Sequence, residues 1–255
     1  MEKRGQTTIF IVIAILIVFV GIFIYLFVPE VRTVFSGEVN PSNYLMSCIE
    51  GNIREGIEVL SKQGGYMNPE GYILYEGNRV KYLCYTSEYH KMCVVQQPMI
   101  KNHFEREISE IVKKKADECA GNLAREYEKR GYDVSGFSES GASVLLVPEH
   151  IIVRVNAPMT ITKEDMTQSF SDFNIEISSD MYELLMIAHS IVDYESTYGD
   201  SETSLYTQYY PDLIPRKTKL GDGSTIYKLE SIKTGEKFVF ASRSLAWPGG
   251  FGYEA

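Results

Sequence analysis

The chain reads as an α+β protein, with an N-terminal transmembrane helix followed by an extracytoplasmic domain of amphipathic helices and antiparallel β-sheet. Three patterns predict this. Residues 9–28 run without a charge, an amide or a proline; apolar residues recur at helical spacing from Leu45 and again from Phe104; and after Tyr132 the period shortens to the alternation of strands.

About 20 apolar residues, rising roughly 1.5 Å each, cross the ~30 Å hydrocarbon core of a bilayer with every amide bonded inside the helix. The 9–28 run has that length, and Lys3 and Arg4 precede it, while Glu30 and Arg32 follow with no basic cluster. The positive-inside rule then makes residues 1–8 a cytoplasmic basic leader and places everything beyond the span outside. The expected protein is single-pass in the cell membrane, with the lipid bilayer as its first partner. A removed secretory signal fits less well, because its apolar core is ~7–15 residues and ends in small residues. Phe27-Val28-Pro29-Glu30 offers no such site.

Residues 29–41 form a linker. Asn40-Pro41-Ser42 reads as an N-cap with proline in the first helical position. Leu45, Ile49, Ile53, Ile57 and Leu60 then follow at helical spacing until Gly64-Gly65 stops the run. Tyr72–Tyr75 and Val80–Leu83 flank Glu76-Gly77-Asn78-Arg79, a hairpin signal. A second helix is predicted over 102–130, with Phe104, Ile108, Ile111, Cys119, Leu123 and Tyr127 on one face and Lys113-Lys114-Lys115 on the solvated side. Region 42–131 is thus helix, hairpin, helix.

Region 132–255 is β-rich with one helix over 180–198, and joins 42–131 in one continuous ectodomain. Strands are expected at 132–137, 142–147, 151–156, 159–162 and 170–178, with Pro148 and Pro158 as breaks. Asp180-Met181-Tyr182-Glu183 looks like a capping box. The helix it opens has a stripe of Met181, Leu184, Leu185, Ala188, Ile191 and Val192, and Gly199 closes it. Gly221-Asp222-Gly223-Ser224 and Lys233-Thr234-Gly235-Glu236 read as turns between later strands.

The net charge is −9, of which Glu2, Lys3 and Arg4 contribute +1, leaving −10 after the span. Such a surface excludes nucleic acid as a partner. The four cysteines contain no C-x-x-C pair, and an even count in an outward-facing segment predicts two disulfides. Three pairings exist. Cys48 with Cys119, on two predicted helices, and Cys84 with Cys93, flanking a short loop, are favoured.

Chemistry is sparse. Gly136-Phe137-Ser138-Glu139-Ser140-Gly141 has one residue too many for a nucleophile elbow, and no H-E-x-x-H, P-loop or G-x-G-x-x-G occurs. His189 with Asp193 and His103 with Glu107 stand four apart on helices, spacing that suits a contact better than a site. No catalytic residue, metal ligand set or cofactor is therefore predicted. Tyrosine is the outlier at 18 residues. Tyr194, Tyr198, Tyr206, Tyr209 and Tyr210 cluster in sequence and suit an interface, since tyrosine gives large contact area at low entropy cost.

The leader Lys3-Arg4-Gly5-Gln6, followed by Thr7, Thr8 and the long apolar run, resembles the class III signal of archaeal type IV pilins and archaellins. The resemblance covers about the first 28 residues. It implies that a prepilin peptidase cuts between Gly5 and Gln6 and that the exposed helix packs into a filament core. One departure is Phe10, at the fifth mature position, where family members often carry glutamate. The expected function is a membrane-anchored cell-surface structural or interaction protein, in the form of a pilin-like filament subunit or an adhesin, with itself or other surface proteins as partners. The alternative is a membrane-anchored enzyme or ligand-binding module with an unrecognised site.

Overall fold

The structure, a computed structural model, describes residues 15–19, 40–136, 140–164 and 166–244. The chain forms two compact units, Met1–Tyr44 and Leu45–Ala255.

In the first unit, residues 15–19 are helical and solvent-exposed. Among the described residues no helix is long and apolar enough to cross a membrane. This corrects both the predicted fold class and the predicted localisation: the described fold is α+β without a spanning helix, and a single-pass placement has no described element to rest on. The rest of 9–28, like Gly5 and Gln6, lies outside the described residues. Helix α1 (Pro41–Lys62) begins in this unit. The Asn43 amide donates to Asn40 Oδ1 at 3.1 Å, so Asn40 caps it as predicted.

In the second unit the α1 stripe of Leu45, Ile49, Ile53, Ile57 and Leu60 is buried. Helix α2 (Ile100–Lys129) follows β1 (Tyr72–Tyr75), β2 (Asn78–Tyr85) and β3 (Val94–Val95). The β1–β2 turn is tighter than expected. Glu76 (φ 48°) and Gly77 (φ 79°) both take positive φ, the two-residue turn that matches strand twist, and Asn78 already pairs with Tyr75. Helices α1 and α2 run antiparallel, because Cys48 bonds Cys119 while Gly56 faces Ile111. A Cβ on Gly56 would come within 2.7 Å of Ile111 Cδ1, so the glycine admits that side chain. Ile111 is consequently half-buried, and Val112 and Ala116 take its expected place in the core.

After α2 come β4 (Asp133–Ser135), β5 (Gly141–Val147), β6 (His150–Lys163), β7 (Met166–Ser178), α3 (Met181–Tyr198), α4 (Ser204–Tyr209), β8 (Leu213–Lys219), β9 (Thr225–Ser231) and β10 (Lys237–Arg243). Sheet A has six strands in the order β1-β2-β10-β9-β8, with β3 also on β2. All its pairs are antiparallel except β2 with β10. One face stacks Tyr227 on Phe240 and brings Phe238 edge-on to Phe104 of α2. The other carries a smaller cluster of Val80, Tyr82, Ile226, Val239 and Ala241.

Sheet B has four strands built around β6, with β7 along one edge and β4 and β5 sharing the other. The sequence predicts two strands separated by Pro158, but β6 continues through it. Asn156 pairs with Asp172 and Met159 with Phe170, so Ala157 and Pro158 together face Ser171 in a bulge. On the other edge β5 pairs only as far as Asn156 and β4 only from Thr160, so no neighbouring carbonyl there is left waiting for the N–H that proline lacks. Helix α2 packs against β5 and β6, and α3 against β9 and β10.

The predicted capping box does not form. Asp180 occupies the N-cap of α3 without a side-chain cap bond. Its carboxylate instead accepts from Ser231 and Thr234, and Glu183 Oε1 accepts the Glu149 amide at 3.3 Å. Glu236 accepts from Ser179 Oγ at 2.8 Å and from the Asp180 amide at 2.6 Å. Residues that would close the helix end locally thus tie it to the β5–β6 and β9–β10 turns.

Candidate functional site

Helix α3 has two unlike sides. Its predicted stripe, Met181, Leu184, Leu185, Ala188, Ile191 and Val192, is buried. The solvent side carries His189, Ser190, Asp193, Tyr194 and Tyr198. The Tyr194 and Tyr198 rings lie 5.0 Å apart, one turn from each other. Helix α4 runs back alongside: Tyr206 bonds Ser190 through the two hydroxyls at 2.9 Å, and Tyr209 and Tyr210 line a common cleft with Leu184 and Ile187. All five tyrosines singled out in the sequence therefore line one strip along α3, with Tyr209 76 % and Tyr198 60 % exposed.

At the Tyr209–Tyr210 end lies a cleft of about 160 Å³ whose lining includes Glu149, Glu183 and Asp212. Burial pushes the Glu183 carboxyl up, and nearby Asp180 and Glu149 add to the rise. Lys233 pairs with Asp212 at 3.2 Å. Ligand pockets run roughly 300–1,000 Å³, so this cleft suits a side chain rather than a cofactor. A larger cleft of about 500 Å³ opens elsewhere, between α1 and the Val80–Val239 face of sheet A. Ile57, Ile177 and Met181 help to floor it, and Lys62, Lys228 and Lys237 stand at its rim.

The predicted disulfides, Cys48–Cys119 and Cys84–Cys93, are both present. His103 and Glu107 do come together, with Nε2 3.5 Å from Oε1. His103 is buried and its ring lies 3.9 Å from that of Tyr66. Burial lowers the His103 pKa, lowers that of Lys81 above the Tyr66 ring, and raises that of Tyr66. None of these three lines either cleft: His103 is buried, and Tyr66 and Lys81 are half-buried beside it. His189 and Asp193 are exposed and line neither cleft. Asp222 accepts from the Ser224 amide and hydroxyl, both at 2.9 Å, and so serves the predicted turn. Phe137–Glu139 lie outside the described residues. Among the described residues no group of three or more potential ligands could hold a metal ion.

Glu195 was missed by sequence reading. It is 1 % exposed, and its two carboxylate oxygens accept from the Tyr227 and Ser242 hydroxyls of β9 and β10. Burial raises its pKa against the pull of those hydroxyls and of Lys217. The available signal was its position, one turn after Ile191 on the apolar side. Compared with known proteins, the chain matches no family model and no curated protein.

Proposed function

We propose that this chain is a structural or interaction protein of pilin-like type, which associates through the tyrosine strip along α3 and α4. The supporting observation is that Tyr194, Tyr198, Tyr206, Tyr209 and Tyr210 gather on one solvent-facing strip instead of being absorbed into the core. Exposed aromatic surface of this kind marks association sites. The leader belongs to the same reading: a prepilin peptidase cutting after Gly5 gives a mature chain starting at Gln6, which N-terminal sequencing of the native protein detects.

The test is the double variant Tyr209→Ser/Tyr210→Ser. Sedimentation velocity should show weaker self-association or partner binding, by at least tenfold, with the thermal midpoint within about 2 °C of wild type. Unchanged association would sink the strip as an interface. A ligand-binding module is the second reading, and the 500 Å³ cleft supports it; fragment titration with chemical shifts at Ile57 and Val239 tests that reading separately.

A further inference from the structure

The two long edges of sheet B are treated differently. The outer edge of β5 is covered by α2: the Leu146 amide donates to Glu105 Oε1 at 2.8 Å, and the Ser140 amide, just before the strand, donates to Asp117 Oδ1 at 2.7 Å. The outer edge of β7 has no such cover. Strand β7 is 13 residues long and pairs with β6 alone. Among the described residues no strand, helix or side chain bonds its outward amides. At about 3.3 Å per residue this is roughly 40 Å of open backbone.

Folded proteins blunt such edges with shortness, lysine or proline. Sheet A does so at both ends. β1 has only four residues, and β8, Leu-Ile-Pro-Arg-Lys-Thr-Lys, carries Pro215, Arg216, Lys217 and Lys219. Strand β7, Met-Thr-Gln-Ser-Phe-Ser-Asp-Phe-Asn-Ile-Glu-Ile-Ser, contains no lysine, arginine or proline. Its inward alternation, Phe173, Ile175 and Ile177, is buried, while from Met166 to Asp172 every residue is exposed except the half-buried Phe170.

We propose that β7 pairs antiparallel with β7 of a second copy across a two-fold axis, joining two four-stranded sheets into one. Like charge limits the register, and the aromatic pair at Phe170 chooses within what remains. Asp172 and Glu176 are the strand's charged residues, and like charges directly opposite are destabilising. Centring the pair on Asp172 sets two carboxylates face to face. Centring it on Phe170 places Asp172 opposite Gln168 and Met166 opposite Asn174, leaves Glu176 outside the overlap, and sets the two Phe170 rings together. An aromatic cross-strand pair of this kind is favourable. The same edge serves both copies, so one closed contact covers both exposed backbones. This surface is separate from the tyrosine strip, since β7 contains no tyrosine.

The experiment uses the full chain. F170C introduces the one free thiol among the described residues, because the four cysteines are disulfide-bonded. It should yield a reductant-sensitive dimer under mild oxidation, whereas E176C, outside the overlap, should not. F170K, which sets two ammonium groups opposite each other, should weaken the dimer at least tenfold in sedimentation velocity. A wild-type chain that is monomeric at 100 µM, or equal cross-linking at both cysteine positions, overturns the proposal. Association that persists in F170K but is lost in Y209S/Y210S assigns self-association to the tyrosine strip and also overturns it. Loss in F170K with Y209S/Y210S intact leaves the edge standing and removes the strip as the self-association surface.

Discussion

Sheet A takes its strands from segments as distant as β2 and β10, whereas sheet B takes all four from one stretch, Asp133–Ser178. The difference shows in what holds each. Sheet B closes through hairpins whose turns fix their own register, such as Pro148-Glu149 between Val147 and His150. Sheet A must bring Tyr82 beside Ala241 with no turn between them, and loop closure makes that pairing entropically dear. Its ties are accordingly non-local. Cys48–Cys119 brackets β1, β2 and β3, and Glu195 pins α3 to β9 and β10. Sheet B lies wholly outside the disulfide-bracketed segment and leaves an edge open; sheet A leaves none unguarded.

The largest effect expected from breaking this contrast comes from the disulfides. Cys48–Cys119 spans 71 residues and Cys84–Cys93 spans 9. The loop-entropy relation gives about 4 kcal/mol for the first and about 2.5 kcal/mol for the second. Cys48→Ser/Cys119→Ser should therefore lower the unfolding free energy more than Cys84→Ser/Cys93→Ser in urea melts. Native-state hydrogen exchange should show the β2–β10 amides losing protection before those of β6–β7. Equal losses from the two double variants would remove loop length as the reason sheet A needs its tie.

A smaller effect separates the covered edge of sheet B from the open one. Glu105→Ala leaves the Leu146 amide without its partner, which costs about 1–3 kcal/mol. Gln168→Ala, on the exposed stretch of β7, should stay within about 0.5 kcal/mol. Thermal denaturation of the two variants measures the difference, and comparable shifts would mean that α2 does not seal the β5 edge.

How far the sequence disclosed this arrangement follows the same division. The helices α1, α2 and α3 were legible because their apolar spacing is local, as were the turns at Glu76-Gly77, Gly221–Ser224 and Lys233–Glu236. The tyrosine strip was legible as a cluster, though not that Tyr206 would be tethered to Ser190. The parallel join of β2 to β10 was invisible, since nothing in either strand encodes a partner so remote. Pro158 read as a break because proline forbids a ladder bond, and the bulge opposite Ser171 together with the gap between β5 and β4 makes it tolerable within β6. The start of β7 escaped because Thr167-Gln168-Ser169 has no apolar alternation, which is also what leaves its edge exposed. Asp180 and Glu183 fitted a local capping pattern, but the neighbouring turns offered their carboxylates other partners.

The smallest effect is a slope with pH and concerns the tie that sheet B lacks. Burial raises the Glu195 carboxyl above its ordinary value, outweighing the Ser242 and Tyr227 hydroxyls and Lys217. The folded chain thus holds that proton more tightly than the unfolded chain. Its contribution to stability is complete below the ordinary carboxylate range and is lost as pH rises through the raised value. His103 works in the opposite direction: burial lowers it, so its contribution is present above the ordinary imidazole range and fades as pH falls through the lowered value. Glu195→Gln keeps the shape and removes the titration. From acid towards neutral pH, urea midpoints of the wild type should fall relative to those of E195Q, while the His103 contribution, common to both, cancels. Parallel midpoints would mean that packing alone, and not the proton on Glu195, joins α3 to sheet A.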